Sequence, residues 1–167
     1  MPPETMTPEG RRLLATLESQ REHVLGILDG LSDEELRRPV LPSGWTCLGL
    51  LQHLALDVER FWFRAVIGGD SSVLDDAPED AWQVGPDVAS GSVLSLYRHE
   101  VEHANAVITE TPMDQPPAWW PGDLFGDWRL EDLRQAMCHV IAETACHAGH
   151  LDVVRELIDG RRWMTLT

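Results

Sequence analysis

One stretch constrains the fold more than any other. From Asp127 or Trp128 to Asp159, DWRLEDLRQAMCHVIAETACHAGHLDVVRELID holds no proline, and apolar residues recur every three or four positions. That is the period of a helix with one buried face, and Gly160 is its stop. A helix of this length cannot bury its stripe alone, so it needs partners of similar length. Three further stretches have the same period. The first runs from Pro8 to Gly30, with Thr7 as N-cap, Pro8 in the first turn and Leu13, Leu14, Leu17, Val24 and Leu28 as its stripe. The second runs from about Thr46 to just before Gly68-Gly69, and its first half, CLGLLQHLAL, is apolar nearly all round. The third spans about Ser92 to Thr109. Ser32 and Glu35 make a capping box for a short turn, SDEELRR. Strand alternation is absent. The acidic connection 70–90 is long enough to cross the end of a bundle, so the second and third helices need not be antiparallel neighbours. The expectation is one all-α domain over residues 1–167, a four-helix bundle with a long crossover between its second and third helices.

Composition narrows the function. The net charge is −15, with all thirteen basic residues arginine and no lysine. That balance argues against nucleic acid and anionic membranes as partners. The missing lysine removes Schiff-base and phosphate-loop mechanisms. Residues with A/T-rich codons are scarce, which points to a high-GC genome. No apolar run is long enough for a membrane span, and MPPETMTPEGRR lacks the apolar segment of a secretory signal, so the expected compartment is the cytoplasm. Cys47, Cys138 and Cys146 are too few and odd in number for a disulfide framework, and each reads as a small apolar residue.

The conspicuous motif is HEVEH, residues 99–103, a match to H-E-x-x-H in which two histidines bind zinc and the glutamate acts as base. Helical phase speaks against it. His99 lies about 200° and His103 about 240° from Tyr97, which belongs to the apolar stripe. Both histidines therefore face solvent, and the motif reads as a charged outer face.

The same test applied to the last helix gives a different result. Leu133, Met137, Val140, Leu151, Val154 and Ile158 set its stripe. Glu143 and His147 lie four apart on the core-facing side, with His139 and His150 at its edge. A buried glutamate is costly unless paired or bound to metal. An acid and an imidazole at this spacing can grip one ion, and His53 in the apolar second helix supplies a third ligand. His53, Glu143 and His147 have the types and number of a catalytic metal site. The alternative is a Glu143–His147 pair that fixes helix register, with His53 unrelated. His150 is a candidate acid or base or a support to the metal ligands, with a helix-edge histidine of no role as the alternative. Asp57 can hold the second nitrogen of His53 or be a surface acid. Arg21, inside the first helix's stripe, calls for a buried ion-pair partner, with anion binding as the other option. Gly149 suggests close approach of another backbone or a ligand. Thr144 falls inside the stripe and can bond back to its own helix. The seven tryptophans wall a pocket or cap the core.

Three segments, LPSGWTCLGLLQHLALDVERFWFRAVIGG, YRHEVEHANAVI and MCHVIAETACHAGHLDVVRELIDG, together resemble the DinB/YfiT-like metalloenzyme superfamily, and GLSDEELRRPVLPSGW fits as well. The nearest resemblance is to its actinobacterial branch, which includes mycothiol S-transferases. The resemblance implies a four-helix bundle holding a divalent metal, usually zinc, on three side chains. Many relatives use three histidines. The mycothiol-dependent maleylpyruvate isomerase has Glu as one ligand, and His53, Glu143 and His147 match that pattern position by position. His150 stands where many relatives carry Gln. The isomerase has a further C-terminal domain that does not follow here, so transfer is expected rather than isomerisation.

The expected function is metal-dependent transfer of a low-molecular-weight thiol, mycothiol in first place, to an electrophilic small molecule as a detoxification step. The expected ion is zinc, with nickel or iron as alternatives. A metal-dependent hydrolase and a non-catalytic, stress-related metal-binding bundle are the other readings. The expected partners are the thiol and its electrophile, with a homodimer left open.

Overall fold

The computed structural model describes residues 6–163, and its regular structure is all helical. Residues 1–5, the start of the segment read as lacking a secretory signal, and 164–167 lie outside the described part. Helix α1 is Pro8–Leu28, capped by the Thr7 side chain on the Gly10 amide, with proline in its first turn. Helix α2 is Asp33–Arg37, and Ser32 and Glu35 complete the reciprocal capping box. Helix α3, Cys47–His53, starts from a Thr46 cap and continues without a break as wider π-type turns over Leu54–Ile67. Helix α4 is Ser90–Glu110 and α5 is Leu133–Asp159.

The start of α5 differs from the sequence expectation. The helix begins at Leu133, because the Asp132 side chain accepts from the Gln135 amide and caps it there. Residues upstream turn through Gly122 and Gly126, both with positive φ. At the other end Gly160, at φ 78°, closes the helix in the left-handed conformation, as its position suggested.

Side-chain contacts give the helix directions. Glu9 pairs with Arg134 at one end of α1 and α5, His23 meets Asp152 further along, and Arg155 donates to the Ile27 carbonyl at the other end. Helices α1 and α5 are therefore parallel. His53 lies against His147 while Trp62 lies against His139, so α3 and α5 are antiparallel. Arg37 of α2 donates to Gly85 and Val88 just before α4 starts, and Ile67 and Gly68 share a groove with Val107 and Glu110. Helix α4 thus runs parallel to α3, and the connection 70–89 returns along the molecule, as its length allowed.

The apolar core is continuous between these helices and includes Leu17, Val24, Leu50, Leu54, Phe63, Tyr97, Ile108, Met137 and Leu151. Each such side chain contributes roughly 1.5–3 kcal/mol by leaving water. Gly49 matters for the site. A Cβ there would stand 2.1 Å from the Trp82 carbonyl oxygen, so only glycine lets the crossover lie this close. The buried Gln52 amide then donates to the Ala81 and Gln83 carbonyls and pins the strap against α3. Trp82 is thereby held over His53.

Candidate metal centre and adjoining pocket

His53 is the last residue of α3 before the wide turns begin. Its ring stacks on Trp82 at 4.3 Å and 20°. Its Nδ1 is 2.8 Å from an Asp57 oxygen, one turn on. That carboxylate occupies one ring nitrogen and leaves Nε2 for the cluster. Glu143 and His147 project from α5 one turn apart, with 3.5 Å between His147 Nε2 and a Glu143 oxygen. Across the interface the His53 and His147 rings meet edge to face at 5.0 Å.

One ligand atom from each of His53, Glu143 and His147 lies within 4.8 Å of the others, a spacing that can hold a metal ion. His147 Nδ1 is buried without a hydrogen-bond partner. Burial and the neighbouring His53 and His150 push the His147 pKa below its ordinary value, against an opposing pull from Glu143. The ring is therefore neutral near pH 7, the state a metal ligand requires.

A pocket of about 440 Å³ opens beside this cluster. It follows the groove between α3 and α5 from His53 and Glu143 toward Trp62 and His139, with Phe61, Phe125 and Trp128 completing its walls. His139 is packed on Trp62 at 4.8 Å and Trp128 at 5.4 Å, and burial lowers its pKa despite Glu143. A pocket of this size, mostly apolar with a few convergent polar groups, is the usual form of a small-molecule site.

A family model described as mycothiol-S-transferase matches residues 12–160. The chain belongs to the mycothiol S-transferase family. No curated protein and no solved structure matches it. No helix among the described residues is long and apolar enough to cross a membrane.

In this family member the structure brings His53, Glu143 and His147 together and leaves His150 apart from the pocket. His150 is exposed, with its ring 5.6 Å from that of His147 and 6.3 Å from Trp45. Several expectations change. Glu143 is not a buried acid: its side chain is 41% exposed, because it stands at the pocket mouth. Gly149 is exposed, and a Cβ there would meet no atom within 4 Å, so among the described residues no other backbone approaches it. Cys138 and Cys146 are exposed and only Cys47 is buried, its thiol pushed up to about 11 by burial. The Thr144 hydroxyl, which its position would let bond back to its helix, is buried without a partner.

HEVEH divides in two. His99 and His103 face outward and meet each other, Nε2 to Nε2, at 2.9 Å. Glu100 is fully buried and bonded to both Arg60 and Arg64. It lies about 300° from Tyr97, which is back within the apolar face, so the same phase count locates it. Arg21 is 2% exposed and makes two bonds to Glu59, at 2.7 and 2.6 Å, and others to Glu18 and Asn105. Burial opposes the Arg21 charge, but Glu59 outweighs it and raises the guanidinium pKa. Arg21 is an ion-pair partner and has no exposed face for an anion.

Sequence reasoning left open whether the tryptophans wall a pocket or cap the core, and it placed neither the pocket between α3 and α5 nor Trp82. The wall had a signal: His53, Asp57 and Phe61 repeat every four residues along α3 and its π-type continuation, as His139, Glu143 and His147 do on α5. Two such rows on antiparallel helices face each other. Trp82 had none, since its position depends on how the crossover folds back.

Proposed function

We propose that this chain is a metal-dependent thiol S-transferase that uses mycothiol. In this reading it is a single DinB-type four-helix-bundle domain acting in the cytoplasm, with His53, Glu143 and His147 holding a divalent ion, zinc in first place. The carrying observation is the convergence of two imidazoles and a carboxylate at the end of an aromatic pocket, in a member of this family. The residues fit such an ion. Two histidines and a glutamate are a catalytic zinc donor set, the His147 ring is neutral, and Asp57 orients His53 as an outer-sphere carboxylate does. When bound, the ion would hold a thiol sulfur and favour its deprotonation.

The chain's own groups account for the rest. Asp57 fixes the tautomer of His53. Trp82 covers the His53 face and limits water there. His150, exposed with its ring 5.6 Å from that of His147, would take the proton released from the thiol and pass it to solvent. The sulfur lone pair forms the new bond to the electrophilic carbon held in the pocket, and the leaving group departs with its bonding pair. In an addition, the electron pair stays on the acceptor and a proton from His150 or water completes the product.

The test is conjugation of a fluorogenic electrophile with mycothiol, bacillithiol or glutathione, with and without chelation. The expected result is turnover that prefers mycothiol and is lost on removal of the metal. Metal-replete protein inactive with every thiol would contradict the proposal.

A further inference from the structure

The histidine pair of HEVEH takes no part in the interior cluster, yet its geometry is specific. Glu100 turns inward to Arg60 and Arg64, while His99, exposed, and His103, half-buried, look outward from α4 one turn apart. Their Nε2 atoms are 2.9 Å apart, their ring centroids 4.3 Å apart, and the ring planes cross at 88°. The rings therefore lean together at their nitrogen ends and do not stack. In the neutral pair one Nε2–H donates to the bare Nε2 of the other. With each proton on Nδ1 instead, both Nε2 atoms are bare and can share one ion.

The separation selects the ion. Two metal–nitrogen bonds of about 2.0–2.1 Å at a right angle set their nitrogens about 2.9 Å apart, whereas a tetrahedral angle sets them about 3.3–3.4 Å apart. The right angle belongs to tetragonal copper(II) and nickel(II), and the wider one to zinc. Copper(II) is also the divalent ion that nitrogen donors bind most tightly. Glu102 is exposed on the same turn of helix and the chain carries −15, so the local and overall charge favour a cation. Among the described residues no carboxylate, thiol or further imidazole joins the pair as a third ligand, so water or a small chelate fills the remaining positions.

We propose that His99 and His103 form a surface metal site that takes copper(II) in preference to zinc. The site has no catalytic base, because Glu100 is spent on two arginines, and it is independent of the thiol-transfer reading. Two protein ligands grip an ion less firmly than three, so this one exchanges during purification and is read by adding it.

The probe is copper(II) iminodiacetate, whose chelate leaves neighbouring positions on the ion for a pair of imidazoles. It is titrated into the untagged chain at about pH 7.5, where an ordinary imidazole is neutral. The expected result is binding with the pulsed EPR signature of two imidazoles. His99→Ala and His103→Ala should each weaken it by about tenfold or more and leave the signature of one imidazole. Zinc iminodiacetate should bind about tenfold or more weakly than the copper complex. Circular dichroism checks that both variants keep their helices. No binding to the wild type, unchanged affinity in either folded variant, or equal affinity for zinc would overturn the proposal. Binding that survives His99→Ala and disappears in His147→Ala would assign the capture to the interior cluster and overturn it as well.

Discussion

Two glutamates, each close in sequence to a histidine, show how differently one residue type is used. Glu100, inside HEVEH, is fully buried; its Oε1 accepts from Arg60 and Arg64 and its Oε2 from Arg64, at 2.7–3.2 Å. Glu143 is 41% exposed and has a single 3.5 Å approach to His147. The first carboxylate is saturated by its own chain, and so is Glu59 with Arg21. Saturated clusters fix how helices pack and have no capacity left for a ligand. The second is left with unused acceptor capacity 3.5 Å from His147 Nε2, at the mouth of a pocket. A motif match does not separate the two cases; counting unused bonds does.

The contrast can be broken by substitution. The largest effect should come from the saturated side. Glu59→Ala leaves the Arg21 guanidinium buried without its main partner, and urea unfolding should show a loss of about 3–5 kcal/mol. Metal content per folded molecule should not change. Asp57→Asn should weaken metal binding by about 10–100-fold in a competitive chelator titration, with little change in apo-protein stability. An unaltered affinity would mean that Asp57 does not orient His53.

Acid should act through Glu100. Burial raises its pKa, but Arg60 and Arg64 together outweigh burial and hold it below the usual glutamate value. A folded pKa below the unfolded one stabilises above the unfolded pKa of about 4.3, and that stability is lost as pH falls through the folded value. Urea midpoints should therefore drop below about pH 4.5. The drop should be smaller in Glu100→Gln, and an equal drop would assign the acid sensitivity elsewhere. The smallest effect belongs to the double variant His99→Ala, His103→Ala. Stability should stay within about 0.5 kcal/mol and conjugation should be unchanged, as for exposed positions away from a site.

Much of this was legible in the sequence, for identifiable reasons. Thr7, Ser32 with Glu35, and Gly160 mark helix ends because capping is a local interaction. The rotation of His99 and His103 to solvent and of His147 toward α3 follows from helical phase, which needs only residue spacing. Phase gives direction and not depth, which is why it predicts a buried Glu143 although that residue stands at a pocket mouth. It also cannot bring in irregular segments. Trp82 reaches His53 only because Gly49 and Gln52 pull the crossover onto α3, and the Phe125 and Trp128 walls come from a turn between helices. The later start of α5 has the same origin, since Asp132 rather than the upstream sequence decides where the helix begins.

The most direct test of the account is elemental analysis of the purified chain beside Glu143→Ala, His147→Ala and the His99→Ala, His103→Ala pair. The expected result is about one transition-metal ion per chain in the wild type and in the HEVEH variant, with most of it lost in the other two. Full metal retention in both Glu143→Ala and His147→Ala would contradict the assignment of the open cluster as the metal centre.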